Sequence, residues 1–218
     1  MYIELAAGVI LLERQLTPNC SLGSDSSGIS SRVLDYLRSI PLGSHAIFFY
    51  ENQQEIVQAF NSYLKGGLER DEPVHLIAPN HDAYADFLQS TDVDVESLEK
   101  DNRLGCMSIS DFLTDKGRLS SAKALQSATK LIEEDRELGF RGTRTITPST
   151  EQNYLEYGSP SDLLRYEQGL GPNFNLPITA FCTYSSGRLV GLGLQELLIS
   201  LFQPHGTIIA KGLAWAKG

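Results

Sequence analysis

Residues 45–51 read His-Ala-Ile-Phe-Phe-Tyr-Glu, and residues 52–64 continue Asn-Gln-Gln-Glu-Ile-Val-Gln-Ala-Phe-Asn-Ser-Tyr-Leu. The first stretch is a short apolar run and predicts a buried strand over 47–50. In the second, Ile56, Val57, Phe60, Tyr63 and Leu64 fall at helical spacing and predict a helix with one buried stripe. A strand that turns at once into an amphipathic helix is the opening unit of a parallel α/β sheet. In a nucleotide-hydrolysing sheet of this kind, that turn is a glycine-rich loop ending in Gly-Lys-Ser/Thr. Its amides cradle phosphate and its lysine neutralises it. Here the turn is Tyr50-Glu51-Asn52-Gln53-Gln54, with no glycine, no lysine and a carboxylate that repels phosphate. The pattern keeps a nucleotide-binding architecture without phosphate-binding residues. That points to sensing or binding and away from catalysis.

The same rhythm continues outward. Strands are predicted over 73–78, 103–109, 141–147, 176–184 and 206–210. Helices are predicted over 31–39, 80–89, 121–138, 161–170 and 193–202. Gly66-Gly67 is expected to close the first long helix, and Gly139 the one carrying Leu125, Ala128, Leu131 and Ile132. Strands separated by helices imply right-handed crossovers. The expected fold is a three-layer α/β domain, its mostly parallel sheet covered by helices on both faces.

A chain of 218 residues with 41% hydrophobic and 21% charged residues suits one large domain. The net charge of −9 argues against broad contact with nucleic-acid phosphates. Cys20, Cys106 and Cys182 are odd in number and widely spaced, without a paired metal-site pattern. No metal and no cofactor are expected, and a reducing cytoplasm is the simplest setting. The apolar run from Ala6 to Leu12 is far shorter than the roughly 20 residues of a membrane span. It reads either as a short element packed on the domain or as a dimerisation or membrane-surface element. Residues 17–31 read as a Ser/Gly/Asn/Asp-rich linker. Residues 1–41 are thus an extension and linker, and 42–218 the main domain.

In open α/β sheets, ligands bind beyond the carboxyl ends of the strands. That rule selects Tyr50 and Glu51 after the first strand, Glu151 after the fourth and Tyr184 at the end of the fifth. Tyr166 and Glu167 lie on the helix between the last two. These residues are expected to line one cavity, with Arg144 as an orienting charge. Each also has a plainer reading. Glu51 suits the first turn of a helix, where the dipole favours a carboxylate. Arg144 inside a strand suits a structural ion pair, with Glu167 as the expected partner. His45 starts its strand at the opposite edge, where it is a ligand contact or a structural histidine bonded to backbone. Cys182 is a small core residue or a thiol sensor. His75 reads as satisfied core, His205 as a turn residue and His81 as exposed. No Ser-His-Asp or Cys-His signature marks an enzyme. Gly191-Leu192-Gly193 lacks the strand-turn-helix setting of a dinucleotide fingerprint.

An ordered set of motifs resembles the MEDS family, the methanogen/methylotroph DcmR sensory domain. It begins with His45-x-x-x-Phe49-Tyr50 and Gly117-Arg118-Leu119, then Gly139-Phe140-Arg141-Gly142-Thr143-Arg144 and Tyr166-Glu167. It continues with the run from Leu176 to Tyr184, including Cys182-x-Tyr184, and ends with Pro204-His205. The resemblance spans about residues 42–212. It implies a RecA/KaiC-like fold without ATPase motifs and a sensor of small molecules, hydrocarbon derivatives among them. It also implies signalling to a transcriptional regulator or histidine kinase. The first 40 residues show no helix-turn-helix, so the resemblance does not extend to direct DNA binding. Pro148-Ser149-Thr150-Glu151 stands where the family often has an aromatic residue. The expectation is a non-catalytic sensory domain that binds a small molecule and works as a homodimer or with a protein partner. It is expected to make no direct nucleic-acid contact and no membrane insertion. A degenerate nucleotide binder and a pure protein-interaction module are the alternatives.

Overall fold

The structure is a computed structural model that describes residues 3–5, 8–10, 28–210 and 213–216. Two short strands, β1 (Ile3–Leu5) and β2 (Gly8–Ile10), pair antiparallel. The expected linker lies mostly outside the described residues. From residue 28 the predicted strands and helices are present, joined by short elements that the sequence reading does not give and by a further strand after the one read as last. They are α1 (Ser31–Ser39), β3 (His45–Tyr50), α2 (Gln53–Leu68), β4 (Val74–Ala78), α3 (His81–Gln89), α4 (Val95–Lys100) and β5 (Leu104–Ser108). A short helix α5 (Ile109–Leu113) leads into the hairpin β6 (Thr114–Asp115) and β7 (Arg118–Leu119). Then come α6 (Ser121–Glu137), β8 (Thr143–Thr147), α7 (Thr150–Tyr154), α8 (Pro160–Leu170), β9 (Ile178–Ser185), α9 (Ser186–Gly191), α10 (Gln195–Ser200), β10 (Thr207–Ala210) and β11 (Leu213–Ala216).

The main sheet has the order β11-β10-β3-β9-β8-β4-β5. All neighbours run parallel except β10 and β11. Strand alternation assigns each side chain to a face. Ala46, Phe48, Ile146, Leu76 and Phe181 face a core closed by α1, α2 and α3 through Val33, Leu37, Ile56, Phe60, Tyr84 and Leu88. Ile47, Phe49, Ile77, Cys182 and Tyr184 face a second core, closed by α5, α6, α8 and α10 through Ile109, Ala128, Leu131, Leu163 and Leu197. This is the three-layer α/β domain read from the sequence. Helix α1 belongs to the first core although the sequence places it in the extension.

Gly66 and Gly67 do not stop α2, which runs on to Leu68. They are there for closeness. A Cβ on Gly66 would sit 2.0 Å from the Arg38 carbonyl oxygen, and one on Gly67 2.6 Å from that of Glu72. Neither neighbour is a flexible tip that can move aside. The glycines let α1 and the lead-in to β4 lie against the helix backbone. No helix among the described residues is long and apolar enough to cross a membrane.

Candidate functional site

The second core contains a buried polar network. His45 opens β3, Cys182 and Tyr184 lie on β9, Glu167 on α8, and His205 just before β10. Parallel pairing of β3 with β9 sets Ile47 beside Cys182 and Phe49 beside Tyr184, all on one face. His45, Glu167, Tyr184 and His205 are each 0% exposed. The Tyr184 hydroxyl donates to Glu167 Oε1 at 2.7 Å. Glu167 Oε2 lies 3.3 Å from His45 Nε2 and 3.7 Å from His205 Nε2. The other nitrogen of each imidazole meets a backbone carbonyl, His45 Nδ1 at Gly171 O and His205 Nδ1 at Leu201 O, both at 2.7 Å. Cys182 Sγ is 3.9 Å from His45 Nε2.

Burial alone would raise the Glu167 carboxyl. The neighbouring His45 and His205 imidazoles and the Tyr184 hydroxyl outweigh it and hold the group below its usual range. Burial, reinforced by the Glu167 charge, holds the Cys182 thiol and the Tyr184 phenol well above theirs. The network thus places one buried carboxylate against two imidazoles, a phenol and a thiol.

Cys182 also belongs to the wall of a cavity of about 40 Å³ between the sheet and helices α5, α6 and α8. Small side chains open it: Thr145 and Ala180 on the sheet, and Ala124 and Ala128 on α6. Tyr154, Tyr166 and Phe112 close its sides. The rings of Tyr154 and Tyr166 meet edge to face, 5.4 Å apart, and the Tyr154 hydroxyl lies 3.3 Å from Thr147 Oγ1. The walls are mostly apolar, with Thr145, Thr147 and Cys182 as the polar points.

The carboxyl edge of the sheet is arranged differently. Tyr50 belongs to the first core, and its hydroxyl pairs with Ser149 Oγ at 2.8 Å. Burial, with the Glu151 charge adding, pushes its phenol up to about 12. Glu151 is wholly buried on α7, where its Oε2 accepts the Ser185 backbone N–H at 3.3 Å. Burial raises its carboxyl despite the bond from Ser185 and the nearby Arg188. Glu51 is exposed in the turn after β3. There Asn52 caps α2 by accepting Glu55 N, and the Glu55 carboxylate accepts Glu51 N at 2.7 Å. A carboxylate from the chain itself therefore holds the helix N-terminus that would face a phosphate.

The expected single cavity is therefore not what the residues build. Tyr166 lines the cavity, and Glu167 and Tyr184 join the network that reaches it through Cys182. Tyr50 and Glu151 stay at the carboxyl edge, and β-alternation puts Tyr50 on the opposite face from Tyr184. Arg144 belongs to neither group. It is 0% exposed in the first core, at the amino end of β8, and its partner is Glu72, not Glu167. Its Nε donates to Glu72 Oε2 at 2.6 Å and its Nη2 to Ile40 O at 3.0 Å, while its guanidinium lies 4.7 Å from the Tyr63 ring centre. The residue before Arg144 faces one core and Arg144 the other, so α8 and its Glu167 lie across the sheet. His205, read as a turn residue, is a member of the network. Its signal was available in Pro204-His205, one of the motifs that also include His45, Tyr166-Glu167 and Cys182-x-Tyr184. His75, expected to be satisfied core, is so on one side only: its Nε2 meets Asp135 of α6 at 3.1 Å, while its buried Nδ1 has no hydrogen-bond partner among the described residues.

Two solved structures from Pyrococcus horikoshii share this fold. One is the uncharacterized protein PH0321, solved in complex with an unknown peptide. It is 16% identical over 78% of each chain, with a TM-score of 0.58. The other is PH0250 from strain OT3, 11% identical over 82% of this chain and 87% of that one, with a TM-score of 0.56. No curated protein matches the chain by sequence. The model of the MEDS family, the methanogen/methylotroph DcmR sensory domain, matches residues 44–200, a span that carries β3 to α10 with His45, Glu167, Cys182 and Tyr184. The chain belongs to the MEDS family of sensory domains.

Proposed function

We propose that this domain is a non-catalytic sensor whose ligand is a compact apolar molecule bound in the cavity between the sheet and helices α5, α6 and α8. The observation that carries this reading is the cavity of about 40 Å³, mostly apolar, with Cys182 in its wall. A water occupies at least roughly 10–15 Å³ of such volume, so the space takes a body of about three or four heavy atoms. That size fits a small hydrocarbon derivative and is far too small for a nucleoside. Apolar walls with a few polar points suit a ligand whose body is apolar and whose orientation is fixed by one group. The Glu55 carboxylate at the start of α2 supports the absence of nucleotide hydrolysis, because it takes the Glu51 amide in the turn where a phosphate would lie. Occupancy would spread α6 and α8 from the sheet and shift a conformational or oligomeric equilibrium toward a regulator or histidine-kinase partner.

The test is thermal denaturation of the full chain with short alkanols, small haloalkanes and adenine nucleotides, for the native chain and for Ala128→Leu, which fills the cavity. Small apolar compounds should raise the melting temperature saturably in the native chain and not in the variant; a ligand at about 100 times its Kd adds about 2.7 kcal/mol. A nucleotide-only response, or an apolar response that survives in Ala128→Leu, would move the site elsewhere.

A further inference from the structure

The network behind the cavity gathers four side chains of metal-ligating type. His45, Glu167, Cys182 and His205 each offer one ligand atom, and the four atoms lie within 4.8 Å of one another. We propose that these four side chains hold a single tetrahedral zinc ion that ties β3, β9, α8 and the segment before β10 together. This inference is independent of whether the cavity binds a ligand.

The hydrogens argue first. Both Nδ1 atoms sit 2.7 Å from backbone carbonyls, which only accept, so each Nδ1 carries the hydrogen. A neutral imidazole then offers its Nε2 as an acceptor. Both Nε2 atoms face the same oxygen, Glu167 Oε2, which is also an acceptor. Lone pairs converging on a carboxylate need positive charge among them. Two imidazolium ions in a fully buried site are a costly source of it. One dication serves all the acceptors at once.

Distances argue second. Zinc bonds of about 2.0–2.3 Å give a tetrahedron with edges of roughly 3.3–3.6 Å. The observed separations are 3.3 Å for His45 Nε2 to Glu167 Oε2, 3.7 Å for His205 Nε2 to the same oxygen, and 3.9 Å for Cys182 Sγ to His45 Nε2. All four atoms lie within 4.8 Å of one another, so the ion would draw the thiolate and His205 inward to complete the coordination.

Charge and support argue third. A thiolate, a carboxylate and two neutral imidazoles exactly balance a dication, so the buried set is neutral; the thiol proton leaves to solvent on binding. Each imidazole is fixed by a carbonyl on its far nitrogen, and the second carboxylate oxygen by the Tyr184 hydroxyl, the outer contacts that orient metal ligands. Four protein donors fill a tetrahedron, so the centre is closed and structural.

The test is a Co2+ titration of the full chain after dialysis against a chelator, read by visible and near-ultraviolet absorption, with zinc per chain measured by elemental analysis of the chain as purified. The expected result is about one ion per chain, tetrahedral cobalt bands with a sulfur-to-cobalt charge-transfer band, and bleaching of both by Zn2+. Cys182→Ser should lose the charge-transfer band and Cys106→Ser should keep it. Ala128→Leu should bind Co2+ as the native chain does, which separates this centre from the ligand cavity. A native chain that gives no saturable tetrahedral spectrum overturns the proposal without recourse to any variant. So does a charge-transfer band that survives in Cys182→Ser.

Discussion

Tyr50 and Tyr184 sit one register step apart on adjacent parallel strands and face opposite sides of the sheet. Tyr184 is paired with Phe49, and Tyr50 with Ser185. Two rings that the carboxyl-edge rule places in one pocket are therefore separated by the thickness of the sheet. Tyr184 is bound to Glu167 and Tyr50 to Ser149.

Tyr184→Phe tests what the first bond contributes. The variant keeps the ring and its packing against Phe49, and removes only the hydroxyl that donates to a buried carboxylate. Hydrogen bonds to charged groups contribute about 1.5–3 kcal/mol. Urea denaturation should show a loss of that size. An unchanged midpoint would mean that Glu167 Oε1 finds another donor. Tyr50→Phe should cost less, because its partner Ser149 is neutral and partly exposed.

Arg144 should be among the most sensitive positions in the domain. Removing its guanidinium leaves buried Glu72 with only the longer contact to Arg70 at 3.7 Å, so the loss should approach but not exceed the about 3–5 kcal/mol typical of a broken buried pair. Arg144→Met retains the apolar stem and isolates the charge. Arg38→Ala, which removes the exposed pair with Glu69, should leave the denaturation midpoint almost unchanged. Equal losses in the two variants would contradict the burial argument.

The same glycine-to-alanine change should have opposite signs at two helical sites. Gly66→Ala drives a Cβ into the Arg38 backbone, and overpacking of this kind costs about 1–3 kcal/mol. Gly187 lies within α9 with nothing within 4 Å of its would-be Cβ. There alanine should stabilise, by less than the roughly 0.5–1 kcal/mol of a helix interior because Gly187 is only the second residue of α9. Thermal melts of the two variants decide the matter.

The layered sheet was legible because periodicity survives without tertiary knowledge. The stripe from Ile56 to Leu64 and the apolar runs of β3, β4 and β9 each carry their own signal. The short elements α4, α5, α7 and α9 were not legible, since five or six residues hold too little of a 3.6-residue period. Gly66-Gly67 misled because a glycine pair reads as a helix stop, and only the approach of Arg38 reveals the other use. The site was half legible. Its residue types were all quoted from motifs, yet which of them meet depends on the face each strand presents. One residue of register separates Tyr50 from Tyr184, and one step along β8 puts Arg144 on the face away from α8 and Glu167. His205 was missed because a histidine after proline reads locally as a turn residue, whereas Cys182, read as core, is buried in the second core and its neighbours His45 and the cavity were not legible.

Glu151 gives a pH dependence with a defined sign. Its carboxyl is wholly buried, and burial raises it above the ordinary value of 4.5 despite the Ser185 N–H and Arg188. The folded chain therefore holds this proton more tightly than the unfolded chain does. By linkage, the group costs stability in full above its raised folded value. That cost fades as pH falls and is gone below the unfolded value. Glu151→Gln removes the charge and keeps an oxygen for the Ser185 N–H. At neutral pH the variant should be the more stable of the two, and its advantage should shrink steadily as pH falls through the carboxylate range. Urea denaturation of both chains at a series of pH values from acid to neutral measures the difference directly. An advantage that grows toward acid pH would show that the carboxylate is stabilised in the folded chain, and would reverse the assignment of burial as the dominant effect at this edge.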